Sequence, residues 1–171
     1  MRDSRRIMAW ATVSCALFFF LPLALKAQES VILTKDQLSQ VVPSGFYFDG
    51  KSAATQMYNG TAVRFGEKRH VIAALVDTSG YATDVREKVE GFLIADLAVK
   101  MGGKDLGIGS YAFGFTKEGT LNVFDLSGAQ LFSVKGTRDS ALRAPRPLAM
   151  VKGADGIRLY RGKDFVIVAP K

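Results

Sequence analysis

Between Phe92 and Met101 an apolar side chain falls on every second position: Leu93, Ala95, Leu97, Val99 and Met101, with Asp96 and Lys100 between them. A repeat of two places these residues on one face of a β-strand and scatters them around a helix. The pattern is closely punctuated. Gly102-Gly103-Lys104-Asp105, Lys117-Glu118-Gly119, Ser127-Gly128, Gly153-Ala154-Asp155-Gly156 and Gly162-Lys163-Asp164 all carry turn chemistry. Parallel strands need crossovers of about a dozen residues. These gaps are too short, so neighbouring strands must run antiparallel.

Extending the reading along the chain gives about nine short strands in an antiparallel all-β meander. Upstream of Phe92, Gly60 to Phe65 reads as a short strand. His70 to Val76 is a near-continuous apolar run, as expected of a central strand. Gly107, Gly109 and Gly114 interrupt the stretch Leu106 to Thr116. Glycine inside a strand marks a bulge, a barrel corner or close approach of another backbone. The barrel-corner reading favours a closed barrel over a sandwich.

Helix signals are few. Thr34-Lys35-Asp36-Gln37 has the capping-box spacing, flanked by Leu33 and Leu38 at the staple positions. Val42-Pro43 stops this N-terminal helix after about two turns. The stretch 84–90 reads as a second short helix or as an irregular loop. The aromatic run Phe46-Tyr47-Phe48 leads into Asp49-Gly50 and opens the β region.

The N-terminus reads as an export signal. Arg2, Arg5 and Arg6 precede the apolar stretch Ile7 to Leu25, and Lys26-Ala27-Gln28 follows. Residues 1–27 are expected to be a secretory signal peptide cleaved after Ala27, although Leu25 at the −3 position is not small. An uncleaved anchor is the rival, since the stretch reaches the ~18-residue spanning length. Export by a twin-arginine route and lipidation at Cys15 fit less well: the segment is very apolar, and its apolar residues continue past Cys15. The chain is then secreted or periplasmic, and contact with a membrane comes only through an uncleaved segment.

Residues 28–171 form one domain. The whole chain has 23 basic and 16 acidic residues; the first 27 positions hold four of the basic and one of the acidic, which leaves a net charge of +4. That charge calls for no nucleic acid. The one Cys, Cys15, and the one Trp, Trp10, fall within the leader. The domain therefore has no disulfide and no thiolate metal site, and its one His, His70, rules out a multi-histidine metal centre. No metal and no cofactor is expected.

One stretch carries an enzymatic signal. Val71 to Val76 delivers Asp77 into Thr78-Ser79-Gly80. It resembles the catalytic loop of aspartic proteases, in which two Asp-Thr/Ser-Gly loops share a proton between like charges. Here the Gly comes one residue late and no second copy is present. The resemblance implies a dimeric aspartic hydrolase using Asp77 and Thr78; the plain reading is a strand end capped by its own turn.

Two further sets are candidates. Arg138, Arg143 and Arg146, in the loop Thr137 to Pro147, could meet an anion or a cell-envelope partner. Tyr111, Phe113 and Phe115 share one strand face and could line the lumen of a barrel for a small apolar ligand. The leading expectation is a non-enzymatic β module of the envelope or exterior, acting by binding or by structure. The ligand-binding barrel and the aspartic hydrolase are its alternatives.

Overall fold

Period-two patterning becomes two stacked antiparallel sheets in the computed structural model, which describes residues 29–171. The expected signal peptide, with Cys15, lies outside the described residues. The elements follow in chain order: β1 (Ser30–Ile32), α1 (Lys35–Val41), β2 (Gly45–Phe48), β3 (Lys51–Phe65), β4 (Arg69–Val76), α2 (Thr83–Arg86), β5 (Gly91–Ala95), β6 (Val99–Met101), β7 (Lys104–Leu106), β8 (Gly109–Phe115), β9 (Thr120–Phe124), β10 (Gln130–Lys135), β11 (Thr137–Arg138), β12 (Arg146–Gly153), β13 (Gly156–Gly162) and β14 (Asp164–Pro170). The first sheet has the order β1-β3-β4-β5-β8-β9-β10, with β2 paired to β3. The second has the order β12-β13-β14-β6-β7, with β11 paired to β14.

Neither sheet closes on itself, so the expected barrel is corrected to a sandwich, and the expected nine strands become fourteen among the described residues. The reason lies at the corners. The alternating run Phe92 to Met101 is two strands, β5 in the first sheet and β6 in the second, joined across residues 96–98. Leu106 to Thr116 divides in the same way into β7 and β8, across Gly107-Ile108. The chain thus passes between the sheets where a barrel would carry it round. Leu93, Phe113, Leu121 and Val123 of the first sheet meet Val99, Met101, Leu159 and Val168 of the second in one dry core.

The first sheet is covered on its other face as well. Leu38 of α1, Phe46 and Phe48 of β2, Tyr81 and Val89 lie over Ala62, Ile72, Ala74, Phe92 and Ala112. This makes β4 a strand with both faces buried, which is why Val71 to Val76 shows no alternation. The small alanines leave room for the Phe46 ring to stack on Phe92 at 4.7 Å, an arrangement worth about 0.5–1.5 kcal/mol beyond area burial.

α1 opens with Gln37 Oε1 accepting the Thr34 N–H at 3.0 Å and closes with the Val42 N–H donating to Leu38 O at 2.9 Å. α2 is a single turn over 83–86, shorter than the stretch 84–90. The connection beyond it lies directly on β8: a Cβ built on Gly114 would fall on Lys88 O. Gly114 therefore marks close approach of another backbone, and the barrel-corner reading of this glycine is corrected with the barrel.

Two polar links tie the sheets together. Thr61, a buried polar residue on the inner face of β3, accepts the Met150 N–H of β12 at 2.9 Å. Arg161 of β13 donates two hydrogen bonds to Glu90, Nε to Oε2 and Nη2 to Oε1, both at 3.1 Å. The fork geometry makes this a charge-assisted, oriented clamp.

Candidate interaction surface

β3 is the longest strand among the described residues, and it breaks register with β4 once. Thr55 pairs with Val76 and Gly60 with Ala74, so residues 56–59 bulge out opposite a single residue of β4. A bulge bends a strand and re-aims its side chains. Here it turns β3 out of the first sheet. The β2–β3 hairpin then folds across that sheet's outer face until its tip meets the β9–β10 turn, where the Asp49 N–H donates to Leu126 O at 3.1 Å. The tip itself is Asp49-Gly50 with φ of 46° and 74°, the positive pair that a tight two-residue hairpin turn requires.

Two side-chain hydrogen bonds brace the bulge, one of them to β4. Gln56 Nε2 donates to Val76 O at 3.1 Å, and Asn59 Nδ2 donates to Gln56 Oε1 at 2.9 Å. Held in this way, the bulge points Met57 and Tyr58 outward. Tyr58 is 91% exposed and Met57 37%. Together with Lys35, Leu38 and Ser39 of α1 and with Gly60, they line a shallow groove. Nothing in "TQMYN" signals this from sequence, because the segment lacks both periods. What could have flagged it is Tyr58 and Met57 standing in a polar stretch with no alternating partner.

The candidates read from sequence are spread over the molecule. Asp77 follows the end of β4, with its N–H donating to Ala54 O at 2.8 Å. Its Oδ1 accepts the Ser79 N–H at 3.0 Å, and hydrogen bonding from Ser79 holds the carboxyl below its usual range. Thr78 O accepts the Tyr81 N–H at 3.0 Å, closing the turn. Tyr81 then anchors the hairpin: its hydroxyl lies 3.1 Å from Phe48 O and 2.9 Å from Lys51 O. His70 sits on β4 with Nδ1 3.5 Å from Asp96 Oδ2.

Tyr111, Phe113 and Phe115 do share one face of β8, and that face is the inter-sheet core. Phe113 is fully buried and meets Phe115 edge-on at 6.2 Å.

The loop from Thr137 to Pro147 is more tightly held than a solvated loop. It begins as β11, and Arg138 pairs with Asp164 at 3.4 Å. Asp139 Oδ2 accepts the Tyr160 hydroxyl at 2.7 Å, and the Arg146 guanidinium lies 5.2 Å from the centre of the Tyr160 ring. Arg158 in turn covers Phe165 at 4.4 Å and donates from Nε to Asp155 Oδ1 at 2.7 Å. Arg143 is exposed. Arg138 and Arg146 are thus each engaged with groups of the second sheet. Asp139 is the residue that sequence reasoning missed: it pins the loop onto the outer face of the second sheet.

Asp139 makes this contact pH-dependent. The Tyr160 hydroxyl, then the Ala141 N–H and the Arg158 charge, hold its carboxyl below the usual range. A folded pKa below the unfolded one gives stability that is complete above the unfolded value of about 4 and is lost as pH falls through the folded value. Thermal unfolding of the wild type and Asp139→Asn over a pH series should show a Tm gap at neutral pH that closes in acid. A gap that does not change with pH would refute the assignment.

Among the described residues no group of three or more His, Cys, Asp or Glu converges as a metal site, and no helix is long and apolar enough to cross a membrane. The molecule is an antiparallel two-sheet sandwich with a third, partial layer of helix and hairpin. No protein-family model matches the chain, and comparison with curated proteins and with solved structures finds no match.

Proposed function

We propose that this is an exported, non-enzymatic β module that works by binding a component of the cell envelope or exterior, through the bulge that carries Met57 and Tyr58. The observation that carries the reading is Tyr58, exposed to solvent on a bulge whose Gln56 side chain donates to Val76 O and accepts from Asn59. Tyrosine is enriched among the residues that dominate interface energies. Export rests on Arg2, Arg5 and Arg6 and on the apolar stretch that follows them.

Affinity capture from an envelope fraction tests this reading, with wild type and Tyr58→Ala as baits. The wild type should enrich a defined partner. Tyr58→Ala should reduce that enrichment roughly tenfold or more, the effect of losing a hot-spot side chain, while leaving Tm unchanged. The mature bait should begin at Gln28 by mass. Equal capture by both baits would remove the bulge from the proposal.

A further inference from the structure

β14 has a full partner on one side only, where β13 pairs with it from Asp164 to Val168. On the other side β11 pairs with Asp164 and Phe165, and β6 pairs with the residues from Val168 to Pro170. Val166 and Ile167 have no residue opposite them in either of these short ladders. A groove of about 400 Å³ opens at this gap, on the outer face of the second sheet. Small-molecule sites run from about 300 to 1,000 Å³.

The floor of the groove is apolar. Val166 and Val168 turn into the core, so Phe165, Ile167 and Ala169 turn outward beneath it. The Arg158 guanidinium covers Phe165 at 4.4 Å, whereas Ile167 and Ala169 are only half-buried. One wall has no side chains, because the β6–β7 turn is Gly102-Gly103, with φ of 53° and 86°. A Cβ on Gly102 would fall on Val134, and nothing lies within 4 Å of the Cβ position of Gly103. The rim is basic: Lys100 and Lys135 line it, and no acidic residue does. Lys100 and Lys171 share the one carboxylate of Asp105, each at 2.7 Å. The Lys135 ammonium donates to the backbone carbonyl of Glu118 at 2.6 Å, and among the described residues it has no carboxylate within 4 Å.

The charge of the whole domain is divided in the same sense. Residues 98–106 and 136–171, which carry the second sheet, hold ten basic and four acidic residues; the rest of 29–171 holds nine basic and eleven acidic. The second sheet is therefore at +6 and the first at −2, and an anion is drawn to the side on which the groove opens. We propose that this groove binds a single medium-length acyl chain that ends in a carboxylate. The chain lies on Ile167, Ala169 and the edge of Phe165, and the head group meets Lys135, with Lys100 adding to the positive field. An apolar body suits the floor, and one anionic group supplies the acceptor that Lys135 lacks among side chains. The site is separate from the Met57–Tyr58 bulge and does not depend on that reading.

Titration calorimetry of the purified protein with decanoate, kept below its micellar concentration, tests the site. Binding should saturate at one molecule per chain. Decanol has the chain without the charge, and butanoate has the charge without the chain. Each should bind roughly tenfold more weakly or worse, a factor equivalent to about 1.4 kcal/mol. Lys135→Glu reverses the charge at the head group, and Ile167→Asp places a carboxylate in the floor. Each should weaken decanoate by roughly tenfold or more, with far-UV circular dichroism unchanged. In amide nuclear magnetic resonance spectra, the shifts caused by decanoate should centre on Gly102, Gly103 and Ile167. If Ile167→Asp fails to fold, Lys135→Glu and the shift map decide. A wild type that shows no saturable binding would overturn the proposal. Decanol binding as tightly as decanoate, shifts centred on another part of the molecule, or an affinity indifferent to Lys135→Glu would each overturn it as well.

Discussion

Gly114→Ala, like Gly91→Ala, is expected to be among the most damaging single-methyl changes in the domain. The added Cβ would fall on Lys88 O, with Val89 Cα 3.4 Å away. Both neighbours are main chain, so no flexible side chain can swing aside. They belong to the connection that brings the Glu90 N–H to Phe113 O at 2.8 Å and places Glu90 against Arg161. Relief would mean lifting that connection from β8 and loosening the clamp between the sheets. Overpacking costs about 1–3 kcal/mol and sometimes more; a backbone-on-backbone clash with no outlet belongs at about 3 kcal/mol. For a domain of this size that lowers Tm by about 10 °C. Gly80→Ala is the control, since no atom lies within 4 Å of its Cβ position, and it should change stability by less than about 0.5 kcal/mol. Equal melting of the two variants would refute the close packing of residues 88–89 on β8.

Thr61→Val should come next. The substitution keeps the shape of the side chain and removes one hydroxyl. That hydroxyl accepts the Met150 N–H across the interface between the sheets, from a residue 89 positions away. Thr61 is 6% exposed and Met150 3%, so water cannot replace it. A buried donor left without a partner costs about 1–3 kcal/mol. Thr61→Ser keeps the acceptor and gives up only a methyl group, about 0.8 kcal/mol. Thermal denaturation should therefore rank wild type, then Ser, then Val. If Val and Ser melt together, the hydrogen bond contributes nothing and the loss is one of packing alone.

Much of the fold was legible in local chemistry. The period of two marked most of the strand residues from Phe92 onward, although Phe92 to Met101 and Leu106 to Thr116 each proved to be two strands. The unbroken run Val71 to Val76 pointed to a central strand, and β4 lies between β3 and β5 with all six residues buried. Less was legible of the surface. Residues 56–59 follow no period, so the bulge that bends β3 and presents Tyr58 left no mark. Asp139 looked like one loop residue among others, because its partner Tyr160 is distant in sequence. Asp77 did announce itself, and what surrounds it is a turn that satisfies its own carboxylate.

The sequence by itself determined that the described chain is built of antiparallel strands and which side chains face inward. Alternation and turn residues are local properties, and they act whatever the rest of the chain does. Only the tertiary structure decided between a barrel and a sandwich. Leu93, Ala95, Val99 and Met101 alternate without interruption while the chain leaves one sheet and enters the other. Both sheets face the same core, so an inward residue stays inward across the corner, and the pattern passes over the change of sheet without recording it.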